Sequence, residues 1–216
     1  MKLFQFAYSP YAAKVRKCLE LKHLAYEIVE VPYLDRRELM VATGGSVHVP
    51  VLVDGRTVVT DSARITAWLD QQHAPSLRPG ALAGAAVVFE QWADQILEDV
   101  AFRLSAPHVE ERMAALNGGR PDAAALYRIV KERKFGAGCI DAWRAQRGEL
   151  GARLSTLLEP LAATLESQPY LLGAQPTLAD AAVWGNLYMI DAVMAGELAR
   201  LCPRLLPWYQ RLAGAK

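Results

Sequence analysis

The sequence predicts an α/β unit of order β-α-β-α-β-β-α followed by an all-helical unit, and three observations carry that prediction. Short apolar runs of strand type, rich in β-branched and aromatic residues, are confined to roughly the first 60 residues. Asp54-Gly55 lies between Val51-Leu52-Val53 and Thr57-Val58-Val59-Thr60, a strong hairpin signal. After His73-Ala74-Pro75-Ser76-Leu77-Arg78-Pro79-Gly80, which breaks every periodicity, apolar residues recur only at helical spacing. The division that follows is residues 1–75, a linker over 76–83, and a helical unit over 84–216.

Leu3-Phe4-Gln5-Phe6 is the first strand. Ser9 then offers its side-chain oxygen as a helix N-cap, and Pro10 suits the first helical position, where a missing amide proton costs nothing. Val15, Cys18, Leu19 and Lys22 continue at helical spacing. Tyr26-Glu27-Ile28-Val29-Glu30-Val31, closed by Pro32, is the second strand, and so short a strand-helix-strand run implies a right-handed parallel unit. Residues 35–41 suit a short helix before the turn-rich Thr43-Gly44-Gly45-Ser46. Pro50 opens the hairpin's first strand, and Ser62 reads as the N-cap of a helix carrying Ile65, Trp68 and Leu69.

In the second unit, Val88, Trp92, Ile96, Val100 and Leu104 step by four and predict a long amphipathic helix ending near Pro107. A helix with Leu126, Ile129 and Val130 follows the break at Asn117-Gly118-Gly119-Arg120-Pro121. Another carries Ile140, Trp143, Leu150, Leu154, Leu157, Leu161 and Leu165, with Pro160 expected to kink or end it. Thr177 and Asp180 have the spacing of a capping box ahead of residues 181–194, which are apolar on almost every side and belong in the middle of their domain. A short helix closes the chain.

Composition excludes several function classes. Lys and Arg number 24 against 23 Asp and Glu, so no excess charge points to nucleic acid or an anionic membrane. No apolar run approaches the ~20 residues that span a bilayer, and the N-terminus lacks an apolar leader core, which predicts a cytoplasmic protein. Cys18, Cys139 and Cys202 are odd in number and far apart, and read as reduced packing residues. Four His without a second ligand nearby give no support to a metal site. Arg128, Lys131, Arg133 and Lys134 read as a solvated helix face in preference to a site for an acidic substrate. The helix start at Ser9 and Pro10 has a second capacity, because its free amide protons and partial positive charge stabilise an anion such as a thiolate.

This order of elements, and four motifs, resemble the glutathione transferases. Ser9-Pro10-Tyr11 followed by Lys14-Val15-Arg16 is similar to the first turn of the tau, omega and zeta classes, whose catalytic Ser or Cys falls at Ser9. Val49-Pro50 resembles the family's Val-Pro pair, whose proline is usually cis and whose preceding residue bonds the cysteinyl backbone of glutathione. Asp61-Ser62 resembles the Glu/Asp-Ser pair that grips the γ-glutamyl end, and Thr177 to Asp180 the capping motif of the buried helix. The resemblance implies a thioredoxin-like N-terminal domain that binds glutathione as co-substrate, and an all-helical domain contributing a hydrophobic second-substrate site. It further implies a homodimer, no metal, and a small hydrophobic electrophile as the other reactant. Ser9 is then catalytic, and Tyr11, His48, Val49, Pro50, Asp61 and Ser62 line the binding site. Tyr8 and Tyr11 are rivals to Ser9, since other classes of the family use a Tyr hydroxyl at the end of the first strand; ranked behind it, Tyr11 walls the second-substrate pocket and Tyr8 is structural.

Two departures stand out. The loop before the Val-Pro pair lacks the family's frequent Asn-Pro, and His48 stands where a Lys, Arg or Gln is common. Ser at position 9 argues against the thiol reductase activity typical of the omega class.

The chemistry suits these residue types. Glutathione presents an amine, two carboxylates and a thiol, so its site needs one acid, anion donors at a helix start and backbone edges for the peptide. Lowering a thiol pKa from near 8.5 by about two units requires roughly 2.7 kcal/mol of selective thiolate stabilisation, which a Ser9 hydrogen bond and a helix terminus can supply. The same thiolate serves a glutathione-dependent isomerase or dehalogenase of zeta or theta type. A different class is a family member that binds without catalysis. Trp92, Phe102 and Tyr127 read as core packing in preference to a place at the second-substrate pocket.

Overall fold

The computed structural model describes residues 1–214. Four strands, β1 (Lys2–Gln5), β2 (Glu27–Glu30), β3 (Val51–Asp54) and β4 (Thr57–Thr60), form one sheet in the order β2-β1-β3-β4. Among them stand α1 (Pro10–Leu21), α2 (Arg37–Thr43) and α3 (Ser62–Gln72). β1 pairs with β2 in parallel and with β3 antiparallel, so Leu3 faces both Ile28 and Leu52. The turn between β3 and β4 is Gly55-Arg56, inside the Asp54–Thr57 pair, and Gly55 takes the positive φ of 57° that so tight a hairpin requires. This is the thioredoxin-like arrangement.

Alternation along the strands divides the sheet's side chains between two cores. Leu3 and Leu52 meet Val15 of α1 and Ile65 and Leu69 of α3, in a core continuous with the helical unit. Phe4 and Val51 turn to the opposite face, where Leu39 of α2 and Val31 close a smaller cluster.

The helical unit contains α4 (Ala83–Trp92), a π-turn over Ala93–Leu97, α5 (Glu98–Leu116), α6 (Asp122–Phe135), α7 (Cys139–Ala145), α8 (Arg147–Leu165), α9 (Leu178–Val193), α10 (Glu197–Leu201) and α11 (Leu206–Gly214). No helix among the described residues is long and apolar enough to cross a membrane. α4, the π-turn and α5 run on without interruption, which corrects the expected stripe. Val88 and Ile96 stand exposed, while Ala86, Ala93, Leu97, Val100 and Leu104 face the core. A strict step of four drifts about 40° per step around a 3.6-residue helix, so five such positions cannot share one face.

Neither proline ends its helix, which overturns the expected end at Pro107 and, of the two outcomes open for Pro160, the end but not the kink. α5 passes through Pro107 and α8 through Pro160. An internal proline costs about 3 kcal/mol. Leu104, Val109 and Met113 on α5, and Leu154, Leu158 and Leu161 on α8, are all buried, each contributing about 1.5–3 kcal/mol. That burial outweighs the lost hydrogen bond. The expected single helix from Ile140 is in fact two, broken at Gln146.

α9 occupies the middle of the helical unit, against α1, α4 and α5. The capping box at its start is formed as expected, and the fully buried Asp180 carboxylate also accepts from Leu171 N at 2.9 Å and Trp208 Nε1 at 2.9 Å. Gly185 is where α9 meets α1. A Cβ built there would lie 2.6 Å from the Pro10 carbonyl and 2.7 Å from the Lys14 amide nitrogen. Both are backbone atoms that cannot swing aside.

At the far end of α1, the buried Lys22 ammonium reaches Asp70 at 2.8 Å and the carbonyls of His73 and Pro75 at 2.8 and 2.6 Å. This fastens the helix to the segment joining the two units.

Gly185→Ala is expected to destabilise the fold by about 3 kcal/mol, the upper end of overpacking effects, because only a shift of α1 relieves the contact. Urea denaturation checks this, and an unchanged midpoint would mean the two helices separate freely.

Candidate functional site

The first turn of α1 supplies the centre of the site. Ser9 is the N-cap, with extended backbone and its Oγ accepting from the Ala12 amide at 3.3 Å, and Pro10 follows at the first helical position. Accepting that bond uses a lone pair of the hydroxyl and leaves its proton to donate elsewhere. The Ser9 residue is largely buried, yet it lines a cleft of about 360 Å³ between the two units, with Tyr8, Tyr11, His48 and Val49.

The start of α3 supplies a second part. The N-cap here is Asp61, not Ser62 as the sequence suggested. Asp61 Oδ1 accepts from Arg64 N at 3.1 Å, and the residue holds a positive φ of 73°. Ser62 moves one place on, to the first helical position. The amides of Ser62 and Ala63 have no partner among the described residues, leaving two free donors at a helix start. They line a second cleft, of about 550 Å³, with Tyr11, His48, Val49, Pro50, Asp61 and Gln95. Tyr11, His48 and Val49 are common to both clefts.

Between these parts, the Val49-Pro50 peptide bond is cis. Neither the amide nor the carbonyl of Val49 enters a hydrogen bond among the described residues, although β3 begins only two residues later. A free backbone edge therefore borders both clefts. His48 is exposed, and its amide donates to Ser46 Oγ at 3.3 Å.

The tyrosines separate by environment. The Tyr11 hydroxyl donates to the Asp94 carbonyl at 3.3 Å, and burial, then Glu98, Asp94 and Asp61, push its ionisation well above the usual range. It stays a neutral donor. The Tyr8 hydroxyl is buried without a partner, and burial first, then Tyr33, raises its pKa. Its charged neighbours are Arg36 and Glu30, on the side away from the start of α3.

Sequence reasoning missed what lies beneath Tyr11. Lys14, almost wholly buried, holds Glu90 Oε1 at 3.0 Å and Asp94 Oδ2 at 2.5 Å, and Glu90 also accepts from Thr66 Oγ1 at 3.1 Å. Arg78 donates to Thr66 Oγ1 at 3.0 Å and stands 3.6 Å from Glu90. Four segments of the chain are thus tied under the site. The π-turn completes the attachment, since its Ala93 carbonyl accepts from Asn186 of α9 at 3.2 Å and its Asp94 carbonyl from Tyr11 of α1. Spacing on its own gave no sign of this turn.

The basic cluster on α6 is the other correction. Arg128 is engaged by Glu110 and Asp141, as a surface residue is, but Lys131 and Lys134 line the first cleft. Phe102 and Tyr127 line it as well. The three cysteines are free and buried, and burial pushes Cys18 up to about 12 and Cys202 to about 11, so neither supplies a thiolate.

Two family models match this chain. One, described as glutathione S-transferase, N-terminal domain, covers residues 3–77, and the other, glutathione S-transferase, C-terminal domain, covers residues 140–211. The chain belongs to the glutathione transferase family. A curated relative, glutathione S-transferase 4 of Zea mays, is 27% identical over 99% of this chain and 87% of its own length. Two solved structures share the fold. A glutathione S-transferase from Rhodospirillum rubrum F11 superposes with a TM-score of 0.73 at 23% identity, covering 99% of this chain and 87% of its own. A glutathione S-transferase of Ceriporiopsis subvermispora, solved in complex with glutathione, gives 0.79 at 15% identity, covering 98% and 96%.

Lys14→Met is expected to destabilise the protein by about 3 kcal/mol, since it strands two carboxylates with little access to water. Adding Glu90→Gln should restore part of the loss. Calorimetric melting of both variants checks this, and a double variant no more stable than the single one would show that packing, not charge, is the cause.

Proposed function

We propose that this protein is a working glutathione transferase, which activates the glutathione thiol as a thiolate for attack on a small hydrophobic electrophile. The observation that carries the reading is the convergence, around the shared wall of Tyr11, His48 and Val49, of a serine hydroxyl with a free proton, an unpaired backbone edge and a helix start with unpaired amides. In this reading residues 1–75 bind glutathione, and residues 84–216 contribute the second-substrate site across the linker at 76–83.

Each group has one task. The Ser62 and Ala63 amides and the Ser62 hydroxyl receive the γ-glutamyl carboxylate, and the Asp61 carboxylate meets the amine beside it. Val49 pairs with the cysteinyl unit as one strand pairs with another, with Pro50 fixing its approach. His48 borders the glycyl end. The thiol then lies at the start of α1, where the Ser9 hydroxyl donates to the sulfur and the helix terminus favours its negative charge. The thiol proton passes to solvent, the electron pair it leaves on sulfur forms the new carbon–sulfur bond, and the electrophile's leaving group departs with the pair of the bond that breaks. Tyr11, already committed to the Asp94 carbonyl, acts as a wall. A homodimer in the cytoplasm is part of the proposal, and the exposed Val87 and Val88 of α4 offer apolar surface for a second copy.

Ser9→Ala tests the central assignment. Wild-type kcat/KM with an aryl halide should rise with pH and level off above a bound-thiol pKa of about 6.5, two units below the free thiol. Losing a charge-assisted hydrogen bond of about 1.5–3 kcal/mol should move that rise upward by about one unit or more, and lower activity at least tenfold below it. Tyr8→Phe should leave the profile in place. Superimposable profiles for Ser9→Ala and wild type would remove Ser9 from its role.

Asp61→Asn separates binding from folding. The amide oxygen can still cap Arg64 N, and Asn tolerates positive φ, so stability should change by less than about 0.5 kcal/mol. Glutathione affinity, measured by titration calorimetry, should fall about tenfold as the amine loses its counter-charge. Unchanged affinity would leave Asp61 a cap and nothing more.

A further inference from the structure

The three buried lysines among the described residues are all paired. Lys14 holds Glu90 and Asp94, Lys17 holds Glu20 and the Leu212 carbonyl, and Lys22 holds Asp70. Lys131, partly buried in the wall of the Ser9 cleft, has no carboxylate within ion-pair distance among the described residues. Its ammonium sits instead against two aromatic faces, 4.9 Å from the Phe102 ring centre and 4.8 Å from that of Tyr127. Such contacts are worth about 0.5–2 kcal/mol and leave the ammonium's donors unused. A cation withdrawn from water and left without a counter-ion is costly to the fold, so its position calls for an anion from outside.

The rest of the cleft agrees. Lys134 lines it beside Lys131, and Arg36 lines the opposite side, stacked 4.8 Å from the Tyr33 ring and bonded to the Val47 carbonyl, with no carboxylate partner. Tyr127 and Tyr8, also in the wall, bury hydroxyls that have no hydrogen-bond partner among the described residues. Two carboxylates oppose these cations. Asp99 is occupied by Arg103 at 2.7 Å, and burial pushes the Glu98 carboxyl up to about 7, so near neutrality much of it is uncharged. Burial, then Lys134, also lowers Lys131 to about 8, which leaves it mostly protonated at pH 7. Phe102 and Phe135, 5.6 Å apart, supply an aromatic floor.

Resting on the glutathione transferase reading, we infer that the second reactant is an aromatic electrophile bearing a carboxylate, which Lys131 receives while the rings of Phe102 and Phe135 hold its apolar body. Lys134 and Arg133 stay exposed, as a solvated helix face implies, while the partly buried Lys131 departs from that expectation.

The test uses two unreactive conjugates that share the glutathione moiety, S-(4-carboxybenzyl)glutathione and S-benzylglutathione, titrated calorimetrically into the full-length protein at pH 7. The carboxylate conjugate should bind about tenfold more tightly. Lys131→Met should abolish that preference while leaving S-benzylglutathione affinity within about twofold of wild type, and Lys131→Arg should retain it. Equal affinity of the two conjugates for the wild-type protein overturns the inference alone. A preference that survives in Lys131→Met overturns the assignment to Lys131. Failure of both conjugates to bind overturns the glutathione reading itself. Should Lys131→Met not fold, Lys131→Gln removes the same charge in its place, and a preference that survives in it overturns the assignment to Lys131.

Discussion

The close approach of α9 to α1 is the constraint on which the rest of the structure depends. At Gly185 the two backbones come within the space of a single methyl group, against the Pro10 carbonyl and the Lys14 amide. Those are the atoms of the turn that Ser9 caps, so the packing that joins sheet and bundle also fixes where the Ser9 hydroxyl stands. α9 can serve as this anvil because it is buried on nearly every side and anchored at its start by Asp180, whose carboxylate gathers donors from its own first turn, from Leu171 and from Trp208. A site built between two units therefore does not rely on a flexible hinge. It rests on backbone-to-backbone contact from the bundle side and on the sheet from the other.

Buried charge follows from the same contact. With α9 and α3 packed against α1, and α4 within reach of its side chains through Glu90, Lys14, Lys17 and Lys22 are enclosed along the helix and at its C-cap. Each is satisfied by an acceptor contributed from elsewhere in the chain: α4 and the π-turn, α11, and the segment after α3. Removing either partner of a buried pair is more harmful than replacing both, so these lysines specify how the two units dock as well as whether they dock.

What was legible in the sequence was local. Ser9 with Pro10, Asp54 with Gly55, and Thr177 with Asp180 each act through backbone atoms a few residues away, and each is where its spacing implied. Even the error at Ser62 is of one residue, because Asp and Ser both cap and only the positive φ at Asp61 decides between them. The site's residues could be named because three of its elements are helix or strand starts with recognisable chemistry. What was not legible is settled by partners distant in the chain. Pro107 read as a helix end, and Pro160 as a kink or an end, because propensity was weighed without the burial that overrides it. Val88 and Ile96 read as core because a step of four was carried along a helix whose buried face it does not follow, and at Ile96 the π-turn, held by Asn186 and Tyr11, has no spacing of its own. Lys131 and Arg128 are three residues apart on one helix, and nothing in that spacing reveals that one meets Glu110 at the surface while the other lies over Phe102.

The contrast between the lysines of α1 and those of α6 carries the argument one step further. Lys14, Lys17 and Lys22 are buried, Lys134 is exposed, and Lys131 is partly withdrawn from water into the region between the units, where desolvation acts on it as well. Along α1 the fold answers every ammonium with an acceptor, which stabilises a fixed interface. Beside the Ser9 cleft it answers Lys131 only with rings, and nearby leaves the hydroxyls of Tyr8 and Tyr127 without partners. Among the described residues the fold satisfies its three buried lysines fully but leaves the partly buried Lys131 beside two unpartnered hydroxyls in a single cleft. Its other unpartnered buried side-chain atoms, on Gln5, His73, Ser105 and Asn186, lie outside that cleft. Unsatisfied groups disfavour the empty state of a cleft and favour the occupied one, and the cation among them gives the sign of the charge that the occupant must bring.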